Sequence, residues 1–231
     1  MLLYKYISEY NIQLDTLDYI EIVLWFICIG LLGVMGFKYI QLRSMNKNAI
    51  YISFFFFLFV ASRISRLIAK FIVGYEYGFF EFTGILLTLA IIYTLTSYIG
   101  LFFVYFFIER SIIHKTHYFF SLLTIAVTIL SIINYGYPAT MIILTPLYIV
   151  VLLGLPLIFF NLAIKSSGSI RKNALTVAIG IILFVLGIAF DVPEAASIWI
   201  TIPGMMEFTK FASPILQIIG SIMIYSGFPK E

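Results

Sequence analysis

Seven long apolar runs dominate this sequence, and they leave very few folds open to it. They lie near residues 19–40, 49–73, 82–108, 118–133, 139–164, 174–190 and 211–228. A segment that crosses the roughly 30 Å hydrocarbon layer must satisfy its own backbone N–H and C=O groups, so helices and closed barrels are the choices. Barrel strands read as about ten alternating residues. These runs are continuous and long enough to span as helices. The expected fold class is therefore all-α: a polytopic membrane protein with one transmembrane domain over residues 1–231, built as a bundle of seven transmembrane helices. Charge supply agrees. Only 11% of residues are charged, against about 25% in soluble domains, too few to cover a water-facing surface. The lipid bilayer is the expected surrounding, and no nucleic-acid partner is expected.

Lys and Arg placement sets the orientation, because cytoplasmic loops are enriched in both. Lys38, Arg43, Lys47, Arg110, Lys115, Lys165, Arg171, Lys172 and Lys230 fall on one side, and only Lys5 and Lys210 on the other. The alternation requires all seven runs to cross, including the short fourth. It predicts a multi-pass protein of the cell membrane with its N-terminus outside and its C-terminus cytoplasmic. The first 18 residues carry Lys5 but also Glu9, Asp15 and Asp18, the wrong charge for a signal peptide, so the first run is expected to be a retained helix. The outer side is acidic: Glu9, Asp15, Asp18, Glu21, Glu76, Glu81, Asp191, Glu194 and Glu207 fall there. The outer connection 191–210 contains Trp199 and two prolines. It reads either as a short interfacial helix or as an ordered loop.

Three cations break the loop pattern and enter the second run. Arg63, Arg66 and Lys70 are spaced i, i+3, i+7, so they share one helix face. A cation near mid-bilayer costs about 2.5–3.5 kcal/mol on insertion scales, and such residues mark functional sites. Lys70 and Arg66 can snorkel toward the outer edge; Arg63 has least escape. Two compatible readings follow. The face forms an internal ion-pair network with Glu21, Glu76, Glu81 or Asp191, or it lines a ligand site in the outer half of the bundle. Tyr93 and Tyr98 on the third run are further candidates, beside Thr94, Thr96, Ser97, Tyr105 and, on the fifth run, Asn161. These polar groups either line a cavity or cross-link helices. The candidate ligand-binding set is Arg63, Arg66, Lys70, Tyr93, Tyr98, Asp191 and Glu81.

Other motifs exclude more than they indicate. Cys28 is the single cysteine, so no intrachain disulfide or multi-thiolate zinc site forms. His114 and His117 lack further ligands nearby, and no metal, cofactor or catalytic residue is expected. Gly30, Gly33 and Gly36 predict close packing of the first helix against a neighbour. All prolines lie at or after Pro138, which argues against a parallel internal repeat.

The region 155–187, with its basic Lys165…Arg171-Lys172 loop between two helices and Gly180, resembles the fifth-to-sixth helix region of seven-helix sensor modules in prokaryotic signalling proteins. That resemblance covers about 30 residues, and it implies a receptor with its N-terminus outside. Those modules continue into a cytoplasmic output domain. This sequence ends at Glu231, so output is expected to pass to a separate cytoplasmic signalling partner. Retinal proteins are disfavoured, because the seventh run has no lysine at its middle. The expected function is a membrane sensor or receptor-like protein binding a small or lipid ligand. The alternatives are an anion- or proton-coupled transporter or channel, and a non-catalytic scaffold. Reporter fusions placed after the third and fourth helices should report opposite sides of the membrane. The same side at both positions would leave a six-crossing protein.

Overall fold

The computed structural model describes residues 16–44, 46–72, 84–113, 116–133, 138–191 and 201–228. Among the described residues it is all-helical. The helices are α1 (Thr16–Gln41), α2 (Ala49–Leu67), α3 (Ile85–Ser111), α4 (Phe119–Ile133), α5 (Pro138–Lys165), α6 (Gly168–Asp191) and α7 (Met205–Gly227). A short 3-10 turn, Leu42–Ser44, follows α1, and a π-helical turn, Ile68–Ile72, extends α2. Each helix packs against its neighbour in sequence and α7 returns to α1, so the bundle is a closed ring. Short connections favour this order.

Six of these helices are long and apolar enough to cross a membrane, and α4 is a shorter apolar helix. The chain is a helical multi-pass membrane bundle. Its outward faces are apolar: Phe37, Leu122, Leu157 and Ile164 are 63%, 62%, 64% and 82% exposed. Its interior is aromatic, with Phe55, Phe56, Phe59, Tyr105, Phe107, Phe159, Phe184 and Phe228 buried. The run 54–57 divides between these environments, with Phe54 outward and Phe55 and Phe56 inward.

The helices coincide with the apolar runs, but α6 and α7 each begin six residues earlier than hydropathy suggests. Arg171 and Lys172 therefore lie in the first turns of α6 rather than in a loop, and only Ser166 and Ser167 separate α5 from α6. Asp191 ends α6 and Lys210 sits inside α7, so both bounds of the expected outer connection are helical. Hydropathy misses these turns because polar side chains interrupt them, Arg171, Lys172 and Asn173 in α6 and Glu207, Thr209 and Lys210 in α7, although their backbones remain helical. The proposed interfacial segment around Trp199 lies outside the described residues.

The turn into α4 has a specific cause. His117 and Tyr118 take φ of 47° and 62°, the left-handed region, and reverse the chain after α3. Buried Glu109, near the end of α3, then accepts the N–H groups of Phe120 (2.9 Å) and Ser121 (3.0 Å) and the Ser121 hydroxyl. A carboxylate from one helix thus caps the start of the next, where backbone donors lack partners.

The closest helix contact is between α6 and α7, and glycine causes it. A Cβ on Gly180 would lie 2.9 Å from the Gly220 carbonyl oxygen, and one on Gly220 would lie 2.6 Å from that of Gly180. Gly187 and Gly227 repeat the arrangement seven residues along each helix, against the main chain at Ser213 and Asn173. The Ser213 hydroxyl donates to the Gly187 carbonyl at 2.7 Å. The expected glycine face of α1 is corrected in part. Gly36 packs under the Phe57 ring and Ser53 donates to its carbonyl at 2.8 Å, whereas Gly30 and Gly33 have nothing within 4 Å of a built Cβ. Gly220→Ala should destabilise the protein by about 1–3 kcal/mol through overpacking, while Gly30→Ala should leave it unchanged. Thermal or SDS unfolding of both variants in micelles checks this.

Candidate functional site

The second helix turns its polar face inward. Ser62, Arg63 and Ser65 are buried while Ile64, between them, is 43% exposed. Arg63 is among the most enclosed side chains of the protein, at 1% exposure. Its Nη1 faces Asp191 Oδ2 at 3.4 Å, and Arg66 Nε faces the same oxygen at 3.4 Å. Arg66 Nη2 also donates to the Asp191 main-chain carbonyl at 2.8 Å. Asp191 is the last residue of α6, where carbonyls lack helical partners and a cation is favoured. Arg66 therefore binds both the side chain and the open end of that helix.

Lys70 takes a different partner. It lies in the π-helical turn, whose wider winding shifts it out of register with the α-helix before it. Its Nζ meets Glu21 Oε1 at 2.6 Å, and the same oxygen accepts the Trp25 indole N–H at 3.1 Å. One turn earlier on α1, Asp18 pairs with Lys210 of α7 at 2.6 Å. Buried or half-buried ion pairs thus join α1 to α2, α2 to α6, and α7 to α1, all at one end of the ring.

Aromatic rings enclose the Arg63 guanidinium. Its Cζ lies 5.7 Å from the Trp25 ring, 5.8 Å from Phe59 and 5.3 Å from Tyr93, within cation–π range. Beyond Phe59 lies a cavity of about 20 Å³ lined by apolar side chains, among them Leu101, Phe184 and Ile188. That is room for about one water-sized sphere. Arg63 Nε, Arg63 Nη2 and Glu21 Oε2 are buried without hydrogen-bond partners among the described residues.

The structure brings together Arg63, Arg66, Lys70, Asp191 and Tyr93. It does not bring Tyr98, which stacks on Tyr148 of α5 at 5.8 Å, and Tyr148 in turn pairs with Ser131. Glu81 lies outside the described residues, as do Glu76 and His114. Other polar groups of α3 act as cross-links: Ser97 pairs with Ser62 at 2.7 Å, and Tyr105 donates to the Val151 carbonyl. Asn161 is exposed. Sequence reasoning missed Trp25 and the pairing of Asp18 with Lys210. A signal was present, because Asp18, Glu21 and Trp25 repeat on α1 the i, i+3, i+7 spacing of the cations on α2. Among the described residues, no three His, Cys, Asp or Glu side chains converge as a metal site.

Removing one partner of a buried pair strands the other charge. Asp191→Ala should therefore destabilise the protein by about 3–5 kcal/mol, while Glu207→Ala, on an exposed position of α7, should shift stability by under about 0.5 kcal/mol. Unfolding of both variants in micelles measures the difference. Comparison with known protein families, with curated proteins and with solved structures finds no match to this chain.

Proposed function

We propose that this chain is a membrane sensor or receptor-like protein. A small or lipid ligand engages the charged end of the bundle, at Arg63, Arg66 and Lys70. In this reading that end faces outside, the N-terminus is outside and the C-terminus is cytoplasmic, and the response passes to a separate cytoplasmic partner. The basic residues Lys38, Arg43, Arg110, Lys165, Arg171 and Lys172 support this orientation by gathering at the other end.

The observation that carries the reading is the linkage of four helices by ion pairs, which among the described residues lie at one end of the bundle. A ligand that competes for Asp191 or Glu21 changes how α1, α2, α6 and α7 hold together. Differential contact of this kind is what lets a ligand shift a conformational equilibrium. The opposite end supports a receptor over a through-path. There Tyr39 stacks on Phe56 (5.7 Å), and Phe228 meets Phe107 (5.9 Å) and Phe159 (5.7 Å) edge-on. A transporter or channel needs a polar route past these rings.

A screen of anions and lipids against the protein in nanodiscs tests the reading. A ligand present at 100 times its Kd should stabilise the wild type by about 2.7 kcal/mol, and Asp191→Asn should alter that response. The same compound should show no flux in proteoliposomes. Flux would move the assignment to a transporter, and a silent screen would remove the support for a ligand site.

A further inference from the structure

We infer that the turn between α5 and α6 is a contact site for acidic phospholipid: Lys165, Arg171 and Lys172 meet the anionic headgroups, and Ile164 lies against the acyl chains below them. The site is at the end of the bundle opposite the Asp191 ion pairs, and it stands apart from the receptor reading above.

Two outward stripes locate the site. On α5, Ile149, Leu153, Leu157 and Ile164 are exposed and recur at spacings of four, four and seven, so they share one helix face. Among the described residues Ile164 is the most exposed large hydrophobic side chain, and it is the last residue but one of α5. The apolar, lipid-facing stripe therefore reaches the end of that helix. On α6, Leu186 and Ile179 are exposed seven residues apart, and seven residues further toward the turn the same face carries exposed Lys172. Lys172 thus sits in line with residues that meet acyl chains, on the side of the helix turned to lipid. Only Ser166 and Ser167 separate α5 from α6, so Ile164, Lys165, Arg171 and Lys172 all lie within the first turns of one helical hairpin.

The charge at this end has one sign. Lys165, Arg171 and Lys172 are exposed, as are Lys38, Arg43, Lys47 and Arg110 elsewhere on the same rim. Among the described residues the one acid here is Glu109, which is buried and holds the start of α4. Long cationic side chains that reach past an apolar residue to a polar layer are snorkelling. Each one near an acidic leaflet strengthens attraction by about fivefold. The direction of the side chains favours lipid over a soluble acidic protein. Such a protein approaches along the bundle axis and meets only the tips of the helices. A phospholipid arrives from the side, where its chains meet Leu157 and Ile164 and its headgroup meets Lys172.

The test uses the purified chain in uncharged micelles, with native mass spectrometry to measure bound lipid and thermal unfolding to follow stability. Phosphatidylglycerol, phosphatidylcholine, glycerol 3-phosphate and a glutamate-rich peptide are added separately. Phosphatidylglycerol should raise the midpoint and bind about tenfold or more tightly than phosphatidylcholine, and glycerol 3-phosphate should do neither. Lys172→Gln should weaken phosphatidylglycerol by about fivefold, and joint replacement of Lys165, Arg171 and Lys172 by Gln should erase its preference over phosphatidylcholine. Ile164→Asn should weaken it with every cation in place, whereas Arg110→Gln, on the same rim, should leave it unchanged. If the variants do not fold, sodium chloride added to the wild type should weaken phosphatidylglycerol and not phosphatidylcholine. Equal losses from Arg110→Gln and Lys172→Gln mean that the whole rim attracts lipid diffusely, and overturn this site. Binding of glycerol 3-phosphate as tight as that of the lipid overturns the lipid in favour of free phosphate. Phosphatidylglycerol no better than phosphatidylcholine overturns the proposal outright, and peptide binding that is then lost with the three cations assigns the surface to an acidic protein.

Discussion

A cation held among helices in a lipid-facing protein needs a counter-charge, and here Asp191 supplies it twice. It faces Arg63 and Arg66 through one carboxylate oxygen, and its main-chain carbonyl takes a third contact. The rest of the charged end is arranged around that residue. Since α6 ends at Asp191, the position of the helix end and the position of the charge are one constraint. Taking α6 away from α2 would expose two arginines to hydrocarbon, which the low dielectric strongly penalises.

The remaining pairs divide the work by helix. Lys70 could have continued the arginine row, but the π-helical turn directs it to α1. Asp18 then passes the linkage on to α7. Such pairs add little net stability compared with good apolar packing. Their value is selectivity, because each cation has one well-placed acid and a rotated or shifted helix would lose it. The aromatic interior has the opposite character. Phe55, Phe59 and Phe184 fill space and tolerate many neighbours, so packing alone would leave the ring's register loosely defined at this end.

The fold was legible because lipid imposes a severe rule on sequence: long apolar runs must be helices, and all seven were visible. The inward face of α2 was legible for the same reason, since charges that enter the membrane have few places to point. Asp191 and Glu21 were named among the candidate acids, but the sequence could not say which cation each would take. That choice depends on the π-helical turn, and nothing in Ile68–Ile72 announces it. The α6–α7 contact was also hidden. Gly180, Gly187, Gly220 and Gly227 lie seven apart on each helix, yet the more conspicuous triplet on α1 drew attention, and two of its members face open space. Glycine spacing shows where a close approach is possible, and only the partner's backbone shows where it occurs. Glu109 illustrates a further limit: its role as the cap of α4 depends on a reversal at His117 and Tyr118 that no turn-forming glycine marks.

The glycine contact has a mechanical meaning. Where two helices touch through side chains, rotamers can absorb a displacement. Where they touch main chain to main chain, as at Gly180 with Gly220 and at Gly187 with Ser213, no compliant layer lies between them. The α6–α7 pair should tilt as one stiff beam. One end of that beam carries Asp191, and the other carries Gly227 against Asn173, close to Arg171 and Lys172. A force applied to the carboxylate would arrive at the basic end with its direction preserved, as in a lever whose two arms cannot bend.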